Sequence, residues 1–241
     1  MSAHWHTYPD AAAAAEACAH QLVALLEEAL SGNQFATLAI SGGSTPKPMY
    51  RQLAAARFPW DRIHLFWVDE RCVPPTDAAS NYKLALETLI APGHIPQRQV
   101  HRICGELTPQ TAARRYVEEI REFFGLEPGE FPHFDAVHRG MGPDAHSASL
   151  FPGDPLIADR ENIAAATFVE KFHQWRVTLL PGVLLAASHT VFLVTGADKK
   201  EAVRAVFQDE YDPTRYPAQI ASHHGRAVTW FLDTAAAELV E

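Results

Sequence analysis

Short runs of apolar and β-branched residues recur along the chain, and each stops at a turn and gives way to a stretch with helical spacing. "FATLAI" ends at Ser41-Gly42-Gly43 and is followed by "PKPMYRQLAAA"; "RIHLFWV" ends at Asp69, and a proline-rich loop leads into "NYKLALETLI". Apolar runs of this length bounded by glycine and proline predict buried strands, and apolar positions three and four apart predict helices. "HFDAVHRG" is a third strand, "HTVFLVTG" before "ADKKEAVRAVF" a fourth with its helix, and "GRAVTWFLD" before "TAAAELV" a fifth. Two further helices are predicted, one from about Pro9 to Leu30 and one over "TPQTAARRYVEEIREFF", which has a threonine start signal. Pro46 suits the first turn of its helix, where an N–H would lack a partner. From Asp154 to Trp175 no clear period emerges.

Strands alternating with helices predict an α/β fold with a parallel sheet covered on both faces. No repeat, low-complexity tract or linker divides the sequence, so residues 1–241 are read as one domain on which the N-terminal helix, residues 1–31, packs. In such sheets ligands bind where loops leave the carboxyl ends of strands. The glycine-rich turns all sit at such ends and should converge.

Composition narrows the partners. A net charge of −9 over 241 residues, without a Lys/Arg cluster, excludes a nucleic-acid surface. No run approaches the ~20 apolar residues of a membrane span, and the N-terminal run carries three glutamates, unlike a secretory segment. These features predict a cytoplasmic protein. Cys18, Cys72 and Cys104 are odd in number and share no CxxC spacing, so they read as reduced structural thiols. Of thirteen histidines, His4 and His6 fall on a terminus expected to fray, and adjacent His223 and His224 would point to opposite faces of a strand; all four read as solvated surface.

Four segments carry candidate chemistry. In "SGGSTP", Gly42 and Gly43 let backbone N–H groups crowd towards a ligand, and Ser41, Ser44 and Thr45 add hydroxyls beside a helix N-terminus, which together describe a phosphate site. A tight strand-to-helix turn with a serine cap explains the same residues. In "WVDERCVPP", at least one carboxylate and Arg71 should face one crevice, Arg71 holding a phosphate or polarising a carbonyl; a local Asp–Arg ion pair is the plainer account. In "GMGPDAHSASLFPG", Gly140 and Gly142 permit an obstructed backbone, Asp144 is close enough to orient or cap the turn, and His146 has the proton affinity of a general base near neutral pH. In "VTGADKK", Lys199 opens a helix where the dipole disfavours a cation unless an anion offsets it. Arg176 in "WRVTLLPG" is a further candidate cation, and Lys200 and Arg204 read as a solvated helix face.

Taken together, "SGGSTP", "WVDERCVP", "GMGPDAHSASLFPG", "RVTL", "FLVTGADKK" and "GRAVTWFLDTAA", in this order from about Ala36 to Ala237, resemble the 6-phosphogluconolactonase family. The resemblance implies a Rossmann-like, doubly wound α/β fold with a mainly parallel sheet, shared with glucosamine-6-phosphate deaminase. It implies hydrolysis of 6-phospho-D-glucono-1,5-lactone in the oxidative pentose phosphate pathway, with no metal and no organic cofactor. A monomer or small homo-oligomer is expected. Carried over by motif, the resemblance implies His146, Asp69 and Arg71 as catalytic, with Ser41, Gly42, Gly43, Ser44, Thr45, Lys199 and Arg176 holding substrate. His146 would draw a proton from the attacking water, Arg71 or a backbone N–H of the glycine turn would stabilise the oxyanion, and Asp69 would hold a substrate hydroxyl or orient Arg71.

Three features depart from the family pattern. Ala145 stands where glycine is common, and costs about 1 kcal/mol if that position requires positive φ. Ser147 replaces threonine. His138-Arg139 ends a strand that is usually apolar there, and Arg139 would snorkel to solvent or pair with a carboxylate. Rival readings are an acyl-enzyme through Ser147 or Ser149, which lacks a GxSxG elbow, a sugar-phosphate deaminase or isomerase of the same fold, and a catalytically silent sugar-phosphate sensor.

Overall fold

The computed structural model describes residues 4–240. Their strands are β1 (His4–Tyr8), β2 (Ala36–Ile40), β3 (Ile63–Trp67), β4 (Asp69–Arg71), β5 (Val100–His101), β6 (Ala136–Arg139), β7 (Ala164–Val169), β8 (Gln174–Leu179), β9 (His189–Val194) and β10 (Val228–Asp233). The helices are α1 (Ala11–Gly32), α2 (Lys47–Ala55), α3 (Asn81–Ala85), α4 (Pro109–Phe124), α5 (Pro181–Ala186), α6 (Lys200–Gln208), α7 (Gln219–His224) and α8 (Thr234–Ala237).

Seven strands form one sheet in the order β1-β10-β9-β6-β2-β3-β5, with every neighbouring pair parallel. From β2 the chain winds through β3 and β5 to one edge; from β6 it winds through β9 and β10 to the other. The switch point therefore lies between the neighbours β2 and β6, where an open α/β sheet leaves its crevice. Antiparallel pairing is confined to a small sheet, β4-β8-β7.

Both faces of the large sheet are covered, because side chains alternate along each strand. Val191, Leu193 and Phe231 join the core under α1, while Phe192, Val194, Trp230 and Leu232 join a second core with Ala202, Val203 and Val206 of α6. Helix α1 starts on Asp10, whose side chain accepts from the Ala13 N–H at 2.9 Å, and buries Ala15, Cys18, Leu22 and Leu26 at helical spacing. Leu22 and Leu26 are fully buried, each worth roughly 1.5–3 kcal/mol over exposure.

Several expectations require correction. His4 and His6 do not lie on a frayed segment: His4–Tyr8 is an edge strand in parallel register with β10, anchored by Trp5 on Phe207 and by His6 and Tyr8 on Phe231. His4 and His6 are exposed, as are His223 and His224, but the latter pair ends helix α7 and flanks the Tyr211 ring instead of lying on a strand. Asp69–Arg71 is itself a strand, paired with β8. The unassigned segment holds a 3-10 turn at Pro155–Ala158 and the β7–β8 hairpin. The three cysteines are free thiols.

Candidate active site

A cavity of about 210 Å³ opens beside the switch point, and Ser41, Gly42, Gly43, Ser44, Thr45, Asp69, Arg71, His146, Arg176 and Lys199 all line it. The loop leaves β2, Asp69 and Arg71 lie on β4, His146 follows β6, Arg176 is on β8, and Lys199 closes the 3-10 turn after β9, one residue before α6. Residues far apart in sequence meet because parallel strands deliver their carboxyl ends to one side.

The loop after β2 is left open. Among the described residues, no N–H of Gly42, Gly43, Ser44 or Thr45 donates to a protein acceptor, and Gly43 and Ser44 are exposed. Gly43 has φ 99°. Gly42 lies so close to the Asn81 amide that a Cβ would overlap it. Ser41 is the loop's anchor: its Oγ donates to the His138 carbonyl at 3.0 Å, tying β2 to β6, and its own carbonyl accepts from the Tyr50 hydroxyl.

The turn after β6 is tied down throughout. Ala145 has φ 59° and Ala148 φ 56°, so both occupy the left-handed region; the condition for strain at Ala145 is met, at about 1 kcal/mol or more per residue. What holds Ala145 there is its surroundings: it is fully buried, and its carbonyl accepts from the Ala218 N–H of the segment leading into α7 at 2.9 Å. The His146 ring has Nδ1 2.5 Å from Asp144 Oδ1 and stacks on Phe151 at 4.0 Å. Gly142 makes room for that ring, since a Cβ there would overlap it. Asp144 thus holds the imidazole through Nδ1, and Nε2 has no protein partner among the described residues.

Ser147 and Arg139 brace the turn from inside. Arg139 neither reaches solvent nor pairs with a carboxylate: it is 2% exposed, donates Nε to Ser147 Oγ at 3.0 Å and lies 5.0 Å over the Phe192 ring. Ser147 Oγ donates onward to the Gly140 carbonyl at 2.9 Å. Burial pulls the Arg139 guanidinium down to about 9, opposed by the charge of Asp69. On the opposite face His138 is wholly buried with both ring nitrogens unpartnered, and burial lowers it to about 3, so it stays neutral.

Asp69 does not orient Arg71. Its carboxylate accepts from Ser149 Oγ at 2.6 Å and lies 3.8 Å from Arg176 Nη1, while Arg71 donates Nη1 to the Ala79 carbonyl at 2.5 Å. Strand alternation turns Glu70 away from the cavity, where it accepts from the N–H groups of Arg71, Asn81 and Tyr82 and from Ser80 Oγ, capping α3. Burial raises Glu70 above its ordinary value, and these donors offset only part of the rise. Arg176 is lowered by burial and supported by Asp69. Lys199 pairs with the exposed Asp198 at 2.9 Å. Lys200 and Arg204 make surface pairs with Glu238, Glu201 and Asp209. The balance matters: in a chain of net charge −9, the described cavity residues present Arg71, Arg176 and Lys199 against one carboxylate, Asp69.

Neither serine suits a nucleophile. Ser147 and Ser149 are buried, and their hydroxyls are committed to Gly140 and Asp69. Two site residues escaped the sequence reading. Asn81 lines the cavity, donates Nδ2 to the Asp69 carbonyl at 2.8 Å and leaves a buried Oδ1 unpartnered; its signal was the Ser80 cap before "NYKLALETLI". Lys171, 2.8 Å from Asp144 Oδ2, is brought in by the β7–β8 hairpin that no period revealed. Among the described residues no group of three or more His, Cys, Asp or Glu side chains is placed to hold a metal ion.

Comparison with known proteins identifies the family. Residues 9–230 match the family model described as glucosamine-6-phosphate isomerases/6-phosphogluconolactonase. The chain is 39% identical over 201 residues to a 6-phosphogluconolactonase of Nostoc sp., covering 83% of this chain and 82% of that one, and 38% identical to one of Synechocystis sp., covering 84% and 83%. A solved 6-phosphogluconolactonase from Trypanosoma cruzi superposes with a TM-score of 0.87 at 27% identity, over 99% of this chain and 97% of its own. The match runs through nearly all of the sheet and its helices, and the chain belongs to the glucosamine-6-phosphate isomerase/6-phosphogluconolactonase family.

Proposed function

We propose that this protein hydrolyses 6-phospho-D-glucono-1,5-lactone to 6-phosphogluconate, the lactonase step of the oxidative pentose phosphate pathway. One observation carries the reading: an open N–H loop and an excess of cations share a cavity with a histidine oriented by a carboxylate. The loop and Lys199 take the phosphate, which converts remote binding energy into placement of the ester carbonyl. His146 Nε2 takes a proton from water as its oxygen attacks C1. The C1–ring oxygen bond then breaks, and His146 returns that proton to the departing ring oxygen. Arg71, or an N–H of the glycine turn, stabilises the oxyanion. Asp69, fixed by Ser149 and Arg176, accepts from a substrate hydroxyl.

No metal or organic cofactor has a part in this scheme. No helix among the described residues is long and apolar enough to cross a membrane. We read the protein as a single domain working in the cytoplasm on a small sugar phosphate, without a nucleic-acid partner, as a monomer or small homo-oligomer. The test is proton release from freshly generated lactone against the spontaneous rate. Acceleration that His146→Ala sharply reduces is the expected result, and no acceleration by the wild-type protein would overturn the reading.

A further inference from the structure

The tip of the β7–β8 hairpin, Glu170–Phe172 followed by His173 at φ 46°, reaches over the histidine turn and meets it at two points, beside Arg176 of β8. Lys171 Nζ lies 2.8 Å from Asp144 Oδ2, on the carboxylate whose other oxygen is 2.5 Å from His146 Nδ1. Phe172 packs edge-on to Phe151 at 5.8 Å, and Phe151 is the ring on which His146 stacks. The Arg176 guanidinium lies 5.1 Å over Phe172 and 5.5 Å over Phe151.

We propose that Lys171 is a positioning residue for the hydrolytic reaction: by holding one oxygen of Asp144 it fixes the carboxylate that orients His146 and restrains the proton affinity of the imidazole. The inference rests on the reading of His146 as the base. Its physical logic is a shared carboxylate. Asp144 alone favours the protonated imidazole; a second cation on the same carboxylate opposes that. Burial works to raise Asp144, but the hydrogen bonds and charges of His146 and Lys171 outweigh it and hold the carboxyl well below its usual range. The other charged groups around Asp144 and His146 are Asp154 and Glu170, which line the neighbouring cavity with Asp144 and Lys171, Arg176 beyond Phe151, and Asp69, Arg71 and Lys199 across the active-site cavity; none of these forms an ion pair with Asp144 or His146. The Lys171 side chain is 52% exposed, so its removal should leave the fold intact and its electrostatic effect is modest.

The sign follows directly. Removing the Lys171 charge favours protonated His146, so the acid limb of kcat/KM moves to higher pH. The experiment compares the wild-type protein with Lys171→Met and Lys171→Arg, measuring kcat/KM for freshly generated lactone between about pH 5 and pH 7.5 while the His146 ring resonance, assigned by its loss in His146→Gln, is titrated by NMR. The expected result is an upward shift of about half a unit in both titrations for Lys171→Met, with little change for Lys171→Arg. If the resonance shifts and the rate profile does not, Lys171 is coupled to His146 and the reading of His146 as base fails. If neither moves, or Lys171→Met alters only thermal stability, the proposal is overturned.

Discussion

The loop after β2 and the turn after β6 leave neighbouring strands at the same end of the sheet, yet only the second is tied down by its own side chains. Between Gly42 and Thr45 the backbone N–H groups have no protein acceptor among the described residues. Between Gly140 and Ala148, by contrast, Ser147 bonds back to Gly140, Arg139 bonds to Ser147, Asp144 holds His146, and two alanines are kept at positive φ. The difference fits the two tasks proposed for them. A group that binds a ready-made anion profits from donors left without partners, which the ligand then satisfies. A group that transfers a proton must be aimed before substrate arrives, so its neighbours fix it even at some cost in backbone strain.

Substitutions in the two turns should therefore fail in different ways. The largest effect is expected from His146→Ala, a drop in kcat of about 100- to 10,000-fold with KM little changed, read in steady-state lactone hydrolysis. Lys199→Ala should instead raise KM about tenfold or more and leave kcat within about twofold, since it removes a charge-assisted contact to the phosphate. An exchange of these two patterns would break the division of labour. Ser147→Ala leaves the buried Arg139 Nε without its partner and should destabilise the fold by about 1–3 kcal/mol in urea unfolding. Ser44→Ala, on the exposed loop, should change stability by less than about 0.5 kcal/mol. Equal losses at the two serines would mean that the loop is braced as firmly as the turn. The smallest effect is expected from Ala145→Gly: relief of the left-handed strain, partly offset by the freedom glycine gains when unfolded, should stabilise by less than about 1 kcal/mol, seen as a rise in Tm of a few degrees at most.

The same contrast explains what the amino-acid sequence reveals. The strands that line the site are legible because β2, β3, β6, β9 and β10 are buried on both faces and read as short apolar runs, each ending at a turn. The ten candidate residues share a cavity because the loop, His146 and Lys199 follow the carboxyl ends of β2, β6 and β9, while Asp69, Arg71 and Arg176 are brought there by the β4–β8 pairing. The small sheet is silent. Asp69–Arg71 is three charged residues whose pairing with β8 depends on a partner about a hundred positions away. The hairpin that delivers Lys171 alternates weakly, and its exposed Phe168 and Trp175 obscure the period. Arg139 misleads for a related reason: a lone arginine at a strand end reads as solvent-seeking, and only the fold reveals Phe192 and Ser147 around it. Strand β1 is missed because "HWHTY" is polar and exposed, and its aromatic anchors lie at the other end of the sequence.

The division between an anion-binding loop and a braced base is tested most directly by the preference for a phosphorylated substrate. The quantity to measure is the ratio of kcat/KM for 6-phosphoglucono-δ-lactone to that for glucono-δ-lactone, in the wild-type protein, Lys199→Ala and His146→Ala. If the loop and Lys199 bind phosphate while His146 does chemistry, Lys199→Ala collapses the ratio and His146→Ala lowers both rates while leaving the ratio unchanged. A ratio that falls in His146→Ala and survives in Lys199→Ala would contradict the account.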